Sequence, residues 1–289
     1  MKRTSAQTED LGQQVVELVE KRAEKFTPVE LTALLSRSFG LEKRSAGDLI
    51  RSLVTSGHLA YADRHGRTVI DISFNRAVQI SPRLVLVPAT VPFTPEPGIS
   101  AVRLLHGASF GDGHHPTTRM CLRGVDFLLN QTRLHFGQGR VLDIGTGSGV
   151  LAIAALKLGM NAGTGLDIDP CAISEARENA RINALEDRLE VSETPLENLS
   201  SRSFDLIIAN LRLPTLNHLY EQILRLAAHN CALLLSGIHG DEVSHLLNAY
   251  TRQDFSPVWQ KEEKDWAALA VLRSISHPAG VSKERPVLI

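Results

Sequence analysis

A strand, a glycine loop and a helix follow one another without interruption in VLDIGTGSGVLAIAALKLG, residues 141–159. From Gly139 to Arg273, further runs of strand-forming apolar residues alternate with helical segments. Such alternation is typical of a mostly parallel sheet with helices on both faces. It predicts a doubly wound α/β domain with a seven-stranded sheet, in which the last two strands form an antiparallel hairpin.

Residues 1–80 predict a small N-terminal module of a different kind. An amphipathic helix over 10–25 precedes a second helix, which begins with a capping box formed by Thr27 and Glu30. A third helix and a β-hairpin at 59–73 follow. Three helices followed by a hairpin is the element order of a winged helix-turn-helix. The sequence therefore predicts a winged-helix-like module.

The charge of this module leaves two kinds of partner open. Between residues 25 and 84, nine Lys and Arg stand against five Asp and Glu, whereas the whole chain has a net charge of −1. Basic side chains on the third helix and the wing of such modules contact phosphates. Contact with DNA or RNA is one prediction, and a helical cap or dimerisation module with a solvated face is the alternative. The arginines concerned are Arg44, Arg51, Arg64 and Arg67.

Two further segments lack the pattern of a folded element. Residues 81–104 include five prolines and predict an extended connector between domains. Residues 274–289 predict a flexible tail. The three cysteines are widely spaced, and the chain has neither an apolar leader nor a run of 18 apolar residues. These features predict a soluble cytoplasmic protein without disulfides or membrane spans, and they leave the oligomeric state open.

The glycine loop narrows the class of ligand. Gly145, Gly147 and Gly149 allow a ligand to approach the backbone closely. A dinucleotide fingerprint needs its third glycine one place later, where Val150 stands. Asp143 precedes the loop, and a carboxylate there disfavours a pyrophosphate, which binds at positive potential. A ligand with an ammonium and a sulfonium group, such as S-adenosylmethionine, suits this charge.

A second carboxylate stands where a ribose would lie. Asp167 follows Gly145 by 22 residues and ends the next predicted strand. A carboxylate at this interval can accept hydrogen bonds from both ribose hydroxyls. Asp169 and Pro170 then cap and begin the following helix. The loop, Asp143 and Asp167 together predict a site for S-adenosylmethionine.

The segment FGDGHHPTT, residues 110–118, has three candidate roles. A metal site is disfavoured because adjacent residues of an extended chain point to opposite sides, so His114 and His115 are poorly placed to share an ion. His114 and Asp112 are candidate general bases. The favoured role is a lid over the cofactor, with glycine hinges and a helix that starts at proline. The lid residues are Phe110, Gly111, Gly113, His115, Pro116 and Thr117.

Five segments of the predicted catalytic domain, residues 105–273, occur in the order and spacing of a known family. They are FGDGHHPTTRMCL, VLDIGTGSGVLAIAALKLG, LDIDPCAISEARENARINA, IIANLRLPTL and LLLSGIHGDEVSHLLNAY. The domain resembles the ribosomal protein L11 methyltransferases, which are class I S-adenosylmethionine-dependent enzymes. The resemblance implies a Rossmann-like methyltransferase fold and methylation of a protein amine.

The resemblance also implies functional residues. Asn210 ends a central strand, at the edge where ligands of open α/β sheets bind, and it is a further catalytic candidate. The chain departs from the family pattern FGTGTHPTT at Asp112 and His114, and residues 10–80 lack the pattern of the family's ferredoxin-like N-terminal domain. The cofactor contacts that the resemblance implies are Thr118, Gly145, Asp167 and Asn210.

Three hypotheses for the function follow. The first is N-methylation of a protein amine, at a lysine or an N-terminus, with a ribosomal protein as the implied substrate. In its favour, Asn210 is followed by Leu-Arg-Leu and not by the Pro-Pro-aromatic signature of enzymes that methylate adenine or glutamine. The second is methylation of RNA or DNA delivered by the N-terminal module. The third is a regulator that binds S-adenosylmethionine without catalysis.

Overall fold

The chain divides into two compact units, Met1–Ala77 and Val78–Ile289. Within the described residues, every helix is too short or too polar to span a bilayer. The predicted tail, 274–289, lies outside the described residues. The computed structural model describes residues 5–22, 25–64, 66–105, 107, 109–111, 113–130, 138–199 and 203–273.

The N-terminal unit contains helices and a hairpin in the order that the sequence predicts. The second helix starts with the predicted capping box: the Thr27 hydroxyl accepts from the Glu30 N–H, and the Glu30 carboxylate accepts from the Thr27 N–H. That this unit is a winged helix stays a prediction. Its elements are α1 (Ser5–Lys21), α2 (Pro28–Phe39), α3 (Lys43–Thr55), β1 (Leu59–Arg64) and β2 (Arg67–Ile72).

A tertiary contact ends α1 earlier than the predicted boundary at residue 25. Phe26 forms a bridge with Ile70 of β2, and the Ile70 N–H donates to the Phe26 carbonyl at 2.8 Å. The buried ammonium of Lys25 donates to the carbonyl of Val19 and pairs with the carboxylate of Asp71. The chain has therefore left the helix where the apolar periodicity alone would continue it.

Two of the four arginines predicted to meet nucleic acid have carboxylate neighbours within their own unit. Arg51 pairs at 2.5 Å with an aspartate of α3, and Arg67 lies 3.8 Å from a glutamate of α2. Arg44 is exposed on α3, and the side chain of Arg64 lies outside the described part of the chain. Nucleic-acid contact through this unit stays a prediction.

The structure replaces the predicted connector at 81–104 with a small sheet that belongs to the second unit. Its strands are β3 (Val78–Ser81), β4 (Leu84–Pro88) and β5 (Ser100–Leu104), in the order β3-β4-β5. The prolines do not prevent the sheet, because Pro82 lies in the turn before β4 and Pro88 is its last residue. The intervening Leu-Val-Leu-Val run is buried.

The main sheet of the second unit has seven strands and is mostly parallel, as predicted. The five strands from β10 to β8 run parallel, and β12 and β11 form an antiparallel hairpin at one edge. Their order is β11-β12-β10-β9-β6-β7-β8. The strands are β6 (Arg140–Ile144), β7 (Ala162–Leu166), β8 (Leu189–Ser192), β9 (Phe204–Asn210), β10 (Ala227–His239), β11 (Phe255–Glu263) and β12 (Trp266–Arg273).

Helices follow the strands in alternation, and most match the predicted segments. One predicted helix is interrupted at Leu219, where the chain divides it into two short helices. Residues of the inner strands β6 and β9 are almost entirely buried, since helices cover both faces of the sheet. The helices are α4 (Pro116–Leu129), α5 (Val150–Lys157), α6 (Pro170–Ile182), α7 (Leu213–His218), α8 (Tyr220–Leu226) and α9 (Val243–Thr251).

Candidate active site

The glycine loop joins the carboxyl end of β6 to α5 and is held against β7. The N–H groups of Gly145 and Thr146 donate to the carbonyl of Leu166 at 2.8 and 2.9 Å. At Gly147, φ is +54°, and a Cβ would lie 2.4 Å from the carbonyl oxygen of Phe110. Any larger residue would have to displace backbone there, so both the conformation and the close contact require glycine.

The carboxylate of Asp167 is fixed beside this loop. It accepts hydrogen bonds from the Gly147 N–H at 2.8 Å and from the Asp169 N–H at 3.1 Å. Asp169 in turn caps α6, as predicted, because its carboxylate accepts from the Cys171 N–H at 2.8 Å. The carboxyl end of β7 thus presents an oriented acceptor next to the loop.

Asp143 of β6 is completely buried. Its Oδ2 accepts hydrogen bonds from the Thr146 hydroxyl at 2.8 Å and the Ala152 N–H at 3.2 Å, whereas Oδ1 has no partner among the described residues. Burial raises the pKa of Asp143 from its ordinary 3.8 to about 6, and the charge of Asp167 adds to the rise. A cation placed nearby would stabilise the ionised form.

A cavity of about 1220 Å³ opens at the carboxyl ends of β6, β7 and β9. Ligands of open α/β sheets bind at this edge. Four of the predicted cofactor residues and one predicted lid residue line the cavity, although they come from separate parts of the chain. They are Gly145, Gly147, Asp167, Asn210 and Phe110.

Charges are unevenly distributed on the cavity wall. Asp167 and Asp169 lie at the loop, and the two basic residues of the wall, His218 and Arg225, belong to α7 and α8. The other carboxylates of the wall are Glu193, Glu197 and Glu221, so acidic groups outnumber basic ones. A pyrophosphate at a glycine loop needs free N–H donors and positive potential. Here the Gly147 N–H already donates to Asp167. The loop therefore suits a cationic ligand better than a dinucleotide.

Three other predicted cofactor residues are not part of the cavity wall. Asp143 is buried behind it, and Gly149, with φ of +80°, packs so closely on α6 that a Cβ would lie 3.1 Å from the Cβ of Ala176. Thr118 is buried in α4, and its hydroxyl has no partner among the described residues. Asp143 and Gly149 thus shape the wall from behind.

The predicted lid is attached to the glycine loop at its first residues. The Ser148 N–H donates to the carbonyl of Phe110 at 2.9 Å, and the Ser148 hydroxyl donates to that of Gly111 at 3.1 Å. Gly111 and Gly113 have φ values of +110° and +94°, which favour glycine. The glycines predicted as hinges are thus the points where the backbone turns.

The other end of the predicted lid begins α4. Pro116 is the first residue of the helix, and His115 is its cap: the Nδ1 of His115 accepts from the Thr117 N–H at 3.3 Å. The His115 ring also lies 5.1 Å from the ring of Phe110. His115 therefore joins the start of α4 to a residue of the cavity wall.

Of the two catalytic candidates that the structure describes, one is found at the cavity. Asn210 ends β9 and lines it. The side chain of His114 is exposed and is not part of the wall. Asp112 lies outside the described residues. In the ranges that the structure describes, no group of three or more His, Cys, Asp or Glu is placed to hold a metal ion.

The sequence analysis missed a buried arginine that holds the predicted lid. Arg119 of α4 is 3% exposed, and its Nη1 donates to the carbonyls of Gly113 at 3.1 Å and His114 at 2.6 Å. Its Nη2 pairs with Glu263 of β11. Arg119 and Glu263 lie 144 residues apart in the sequence, so no local sequence pattern connects them.

A second missed residue is Ile168, which is 93% exposed and lies on the cavity wall between two aspartates. An exposed isoleucine at a cavity offers an apolar surface to a ligand. The signal in the sequence was an isoleucine between Asp167 and Asp169, at the end of a predicted strand. The sequence around Ile168 does not distinguish this isoleucine from one at an ordinary loop position.

The part of the chain that carries the site matches a known family. Residues 73–274 match the model for the family described as Ribosomal protein L11 methyltransferase (PrmA). The chain belongs to this family. The match begins near the boundary of the two units, so most of the N-terminal unit of this L11 methyltransferase family member lies outside it.

Individual L11 methyltransferases are similar over the same region. One from Geobacter sulfurreducens is 37% identical over 191 residues, which cover 66% of this chain and 60% of that protein. One from Pasteurella multocida is 41% identical over 173 residues, which cover 58% of this chain and 56% of that protein. The chain thus spans about 60% of the length of the first of these relatives.

A solved structure supports the fold of the second unit. The crystal structure of ribosomal protein L11 methylase from Lactobacillus delbrueckii subsp. bulgaricus is 29% identical and superposes with a TM-score of 0.60. The superposed region covers 68% of this chain and 98% of the Lactobacillus protein. The predicted Rossmann-like methyltransferase fold is therefore confirmed.

Proposed function

We propose that the protein transfers a methyl group from S-adenosylmethionine to an amine of a ribosomal protein. The observation that carries the proposal is the pair of carboxylates, Asp143 and Asp167, at the glycine loop of a member of the L11 methyltransferase family. When bound, S-adenosylmethionine supplies a methyl group on a positively charged sulfur. Carboxylates at the loop favour this charge and disfavour a pyrophosphate.

The residues around the cavity fit this cofactor. The unpartnered Oδ1 of Asp143 marks a buried negative charge that a bound cation would stabilise. The Asp167 carboxylate accepts two N–H groups and retains lone pairs for the hydroxyls of a ribose. The exposed side chain of Ile168 offers an apolar surface to an adenine ring. These residues would hold the charged, sugar and aromatic parts of the molecule.

Asn210 and Phe110 would position the acceptor amine. A free lysine side chain has a pKa of about 10.4, so it must lose its proton before its lone pair can attack a methyl group. The side-chain oxygen of Asn210 can accept a hydrogen bond from the amine and orient that lone pair. The ring of Phe110, 53% exposed at the cavity, offers an apolar surface on which the aliphatic part of the acceptor side chain can pack. Catalysis would then rest mainly on proximity and orientation.

The choice of a ribosomal protein as acceptor rests on the similar proteins. The relatives from Geobacter sulfurreducens and Pasteurella multocida are both named ribosomal protein L11 methyltransferase. We therefore propose ribosomal protein L11 as the first acceptor to test, with the methyl groups on a lysine or on the N-terminus.

The test is transfer of labelled methyl groups from S-adenosylmethionine to ribosomes from cells that lack this protein. The product is divided and treated with protease or with nuclease. Label that survives nuclease, disappears with protease and maps to L11 by mass spectrometry is the expected result. Label that disappears with nuclease would instead identify an RNA acceptor and contradict the proposal.

A pair of variants tests the cofactor site in the same experiment. Asp167→Asn removes the carboxylate that would accept two ribose hydroxyls, so we expect the Kd for S-adenosylmethionine to rise about 100-fold. Asp187→Asn makes the same chemical change at an exposed position outside the cavity wall and should leave the Kd unchanged. Titration calorimetry measures both. Tight cofactor binding without transfer to any acceptor would favour a regulator over an enzyme.

A further inference from the structure

Four aromatic rings form a continuous row that starts at the cavity. Phe110 lines the cavity, and its ring centroid lies 5.1 Å from that of His115. His115 is in edge contact with Trp266 at 5.0 Å, and Trp266 stacks on His239 at 4.5 Å. Each of these side chains remains at least partly exposed. We call Phe110, His115, Trp266 and His239 the aromatic row.

Arg212 lies against this row and is held in place by two contacts. Its guanidinium carbon is 4.9 Å from the centroid of the Trp266 ring, and its Nη1 donates to the Gly237 carbonyl at 3.1 Å. The residue is nevertheless exposed. Across the described ranges, no carboxylate pairs with it. The guanidinium is therefore oriented but not neutralised.

The position of Arg212 relates it to the acceptor rather than to the cofactor. It follows Asn210 and Leu211, which line the cavity, but it is not itself part of the wall. Asp167 and Asp169, the carboxylates at the glycine loop, are by contrast part of that wall. Arg212 thus adds a positive charge just outside the cavity, beside the residues that would position the amine.

A protein acceptor that binds beside Arg212 must carry a negative group. An amine arrives mostly as an ammonium, and an unpaired guanidinium beside its path repels it unless the same segment carries a negative group. Arginine presents a planar fork of donors that matches a carboxylate, and an arginine already oriented by a ring and a carbonyl loses less freedom when it binds one. The geometry favours an acidic acceptor segment.

We propose that Arg212 binds a carboxylate of the acceptor protein, so that the enzyme prefers amines with an Asp or Glu side chain close to them. The proposal rests on the proposed methyl transfer to a protein and specifies the substrate class of the same site. The other available carboxylate is that of S-adenosylmethionine itself. The acceptor is the favoured source because Arg212 lies outside the cavity wall.

The experiment combines changes in the enzyme with changes in the acceptor. The enzymes are the wild type, Arg212→Gln, Arg212→Glu and the control Arg252→Gln, which alters an exposed arginine at the end of α9. The acceptors are purified L11 and versions in which each Asp or Glu within four positions of the methylated amine is changed to its amide. The kcat and KM for each acceptor and the Kd for S-adenosylmethionine are measured for every enzyme.

We expect Arg212→Gln to raise the KM for L11 about tenfold and to leave the Kd for S-adenosylmethionine unchanged. One amide version of L11 should raise the KM of the wild type by the same factor, yet have no further effect on Arg212→Gln. Arg212→Glu should raise the KM further because it repels the acidic segment. Arg252→Gln should behave as the wild type.

Several outcomes would overturn the inference, and they differ from failure of the proposed function. An unchanged KM for Arg212→Gln, or additive effects of the enzyme and acceptor changes, would exclude a direct pair. A raised Kd for S-adenosylmethionine with an unchanged KM for L11 would assign the carboxylate to the cofactor. Absence of transfer by the wild type would reject the proposed function, and this inference with it.

Discussion

The two ends of the candidate active site are built in different ways. The end with the glycine loop lies within residues 143–169, where short-range bonds such as Thr146 to Asp143 join its parts. The end with the aromatic row gathers Phe110, Arg212 and Trp266 from distant segments. The first end therefore depends on local sequence, and the second depends on how the sheet brings its strand ends together.

The two ends also differ in charge. The loop end has the carboxylates Asp143 and Asp167, whereas the other end is bordered by Arg212. Arg119, which holds the predicted lid there, is paired with Glu263. A substitution at the loop end should therefore act on cofactor affinity. A substitution at the other end should act on the predicted lid or on the choice of acceptor. Three variants test whether this division is real.

Gly147→Ala should have the largest effect, because it combines strain with a collision. We expect the free energy of unfolding to fall by about 2–4 kcal/mol and the Kd for S-adenosylmethionine to rise more than about 100-fold, since the alanine Cβ must displace the Phe110 carbonyl. Gly98→Ala is the control: φ there is +86°, but no atom lies within 4 Å of the new Cβ. Thermal unfolding and calorimetry measure both. Equal losses in the two variants would show that the contact with Phe110 is unimportant.

Asp143→Asn should weaken cofactor binding and change its dependence on pH. The pKa of Asp143 is about 6 because of burial, so in the wild type the affinity for a cationic ligand should fall as the pH drops through 6. The variant should bind about 30-fold more weakly at pH 8 and lack this dependence between pH 5 and 8. Calorimetry over that range provides the measurement. A variant that keeps the wild-type pH dependence would assign it to another group.

Asp143→Asn should weaken cofactor binding but stabilise the ligand-free protein. Because burial raises the pKa of Asp143 above its ordinary 3.8, the folded protein loses stability as the pH rises from about 4 to about 6, where the buried group ionises. Removing the charge should raise the free energy of unfolding of the ligand-free protein at pH 7 by up to about 3 kcal/mol. The Tm at pH 7 should rise accordingly. The difference should vanish below pH 4.

Arg119→Lys should have the smallest effect and should concern the predicted lid. A lysine keeps the charge but cannot bond the carbonyls of Gly113 and His114 together with Glu263. We expect S-adenosylmethionine to dissociate about 5 to 10 times faster, as measured by stopped-flow fluorescence. Arg123→Lys is the control, since Arg123 also contacts Glu263 but its Nε donates to the carbonyl of Ile80 in β3. Lower stability with an unchanged dissociation rate would leave Arg119 with a structural role alone.

Much of the loop end could be predicted from the sequence because its determinants are neighbours in the chain. Gly145, Gly147 and Asp167 were all identified, and all line the cavity. Asp143 was identified as well, but its complete burial and raised pKa depend on helices that cover β6. Thr118 came from the family resemblance, and the structure places it in α4 away from the cavity wall.

Elsewhere the predictions depended on composition and were less reliable. The prolines of 81–104 suggested a connector, yet the buried run in β4 forms the middle of a sheet. The apolar period suggested that α1 continues to residue 25, yet the bridge between Phe26 and Ile70 ends it earlier. In both places a contact between distant segments outweighed the local preference.

The sequence by itself determined the alternation of strands and helices, the glycine loop and the interval to Asp167. Periodicity, caps and turns act over a few residues, so the chain specifies them locally. Only the tertiary structure decided that Arg119 meets Glu263 and that Arg212 meets Trp266. Such contacts depend on strand order and packing, because β12 pairs with β10 at the edge of the sheet beside which α4 lies. No spacing in the sequence records that arrangement.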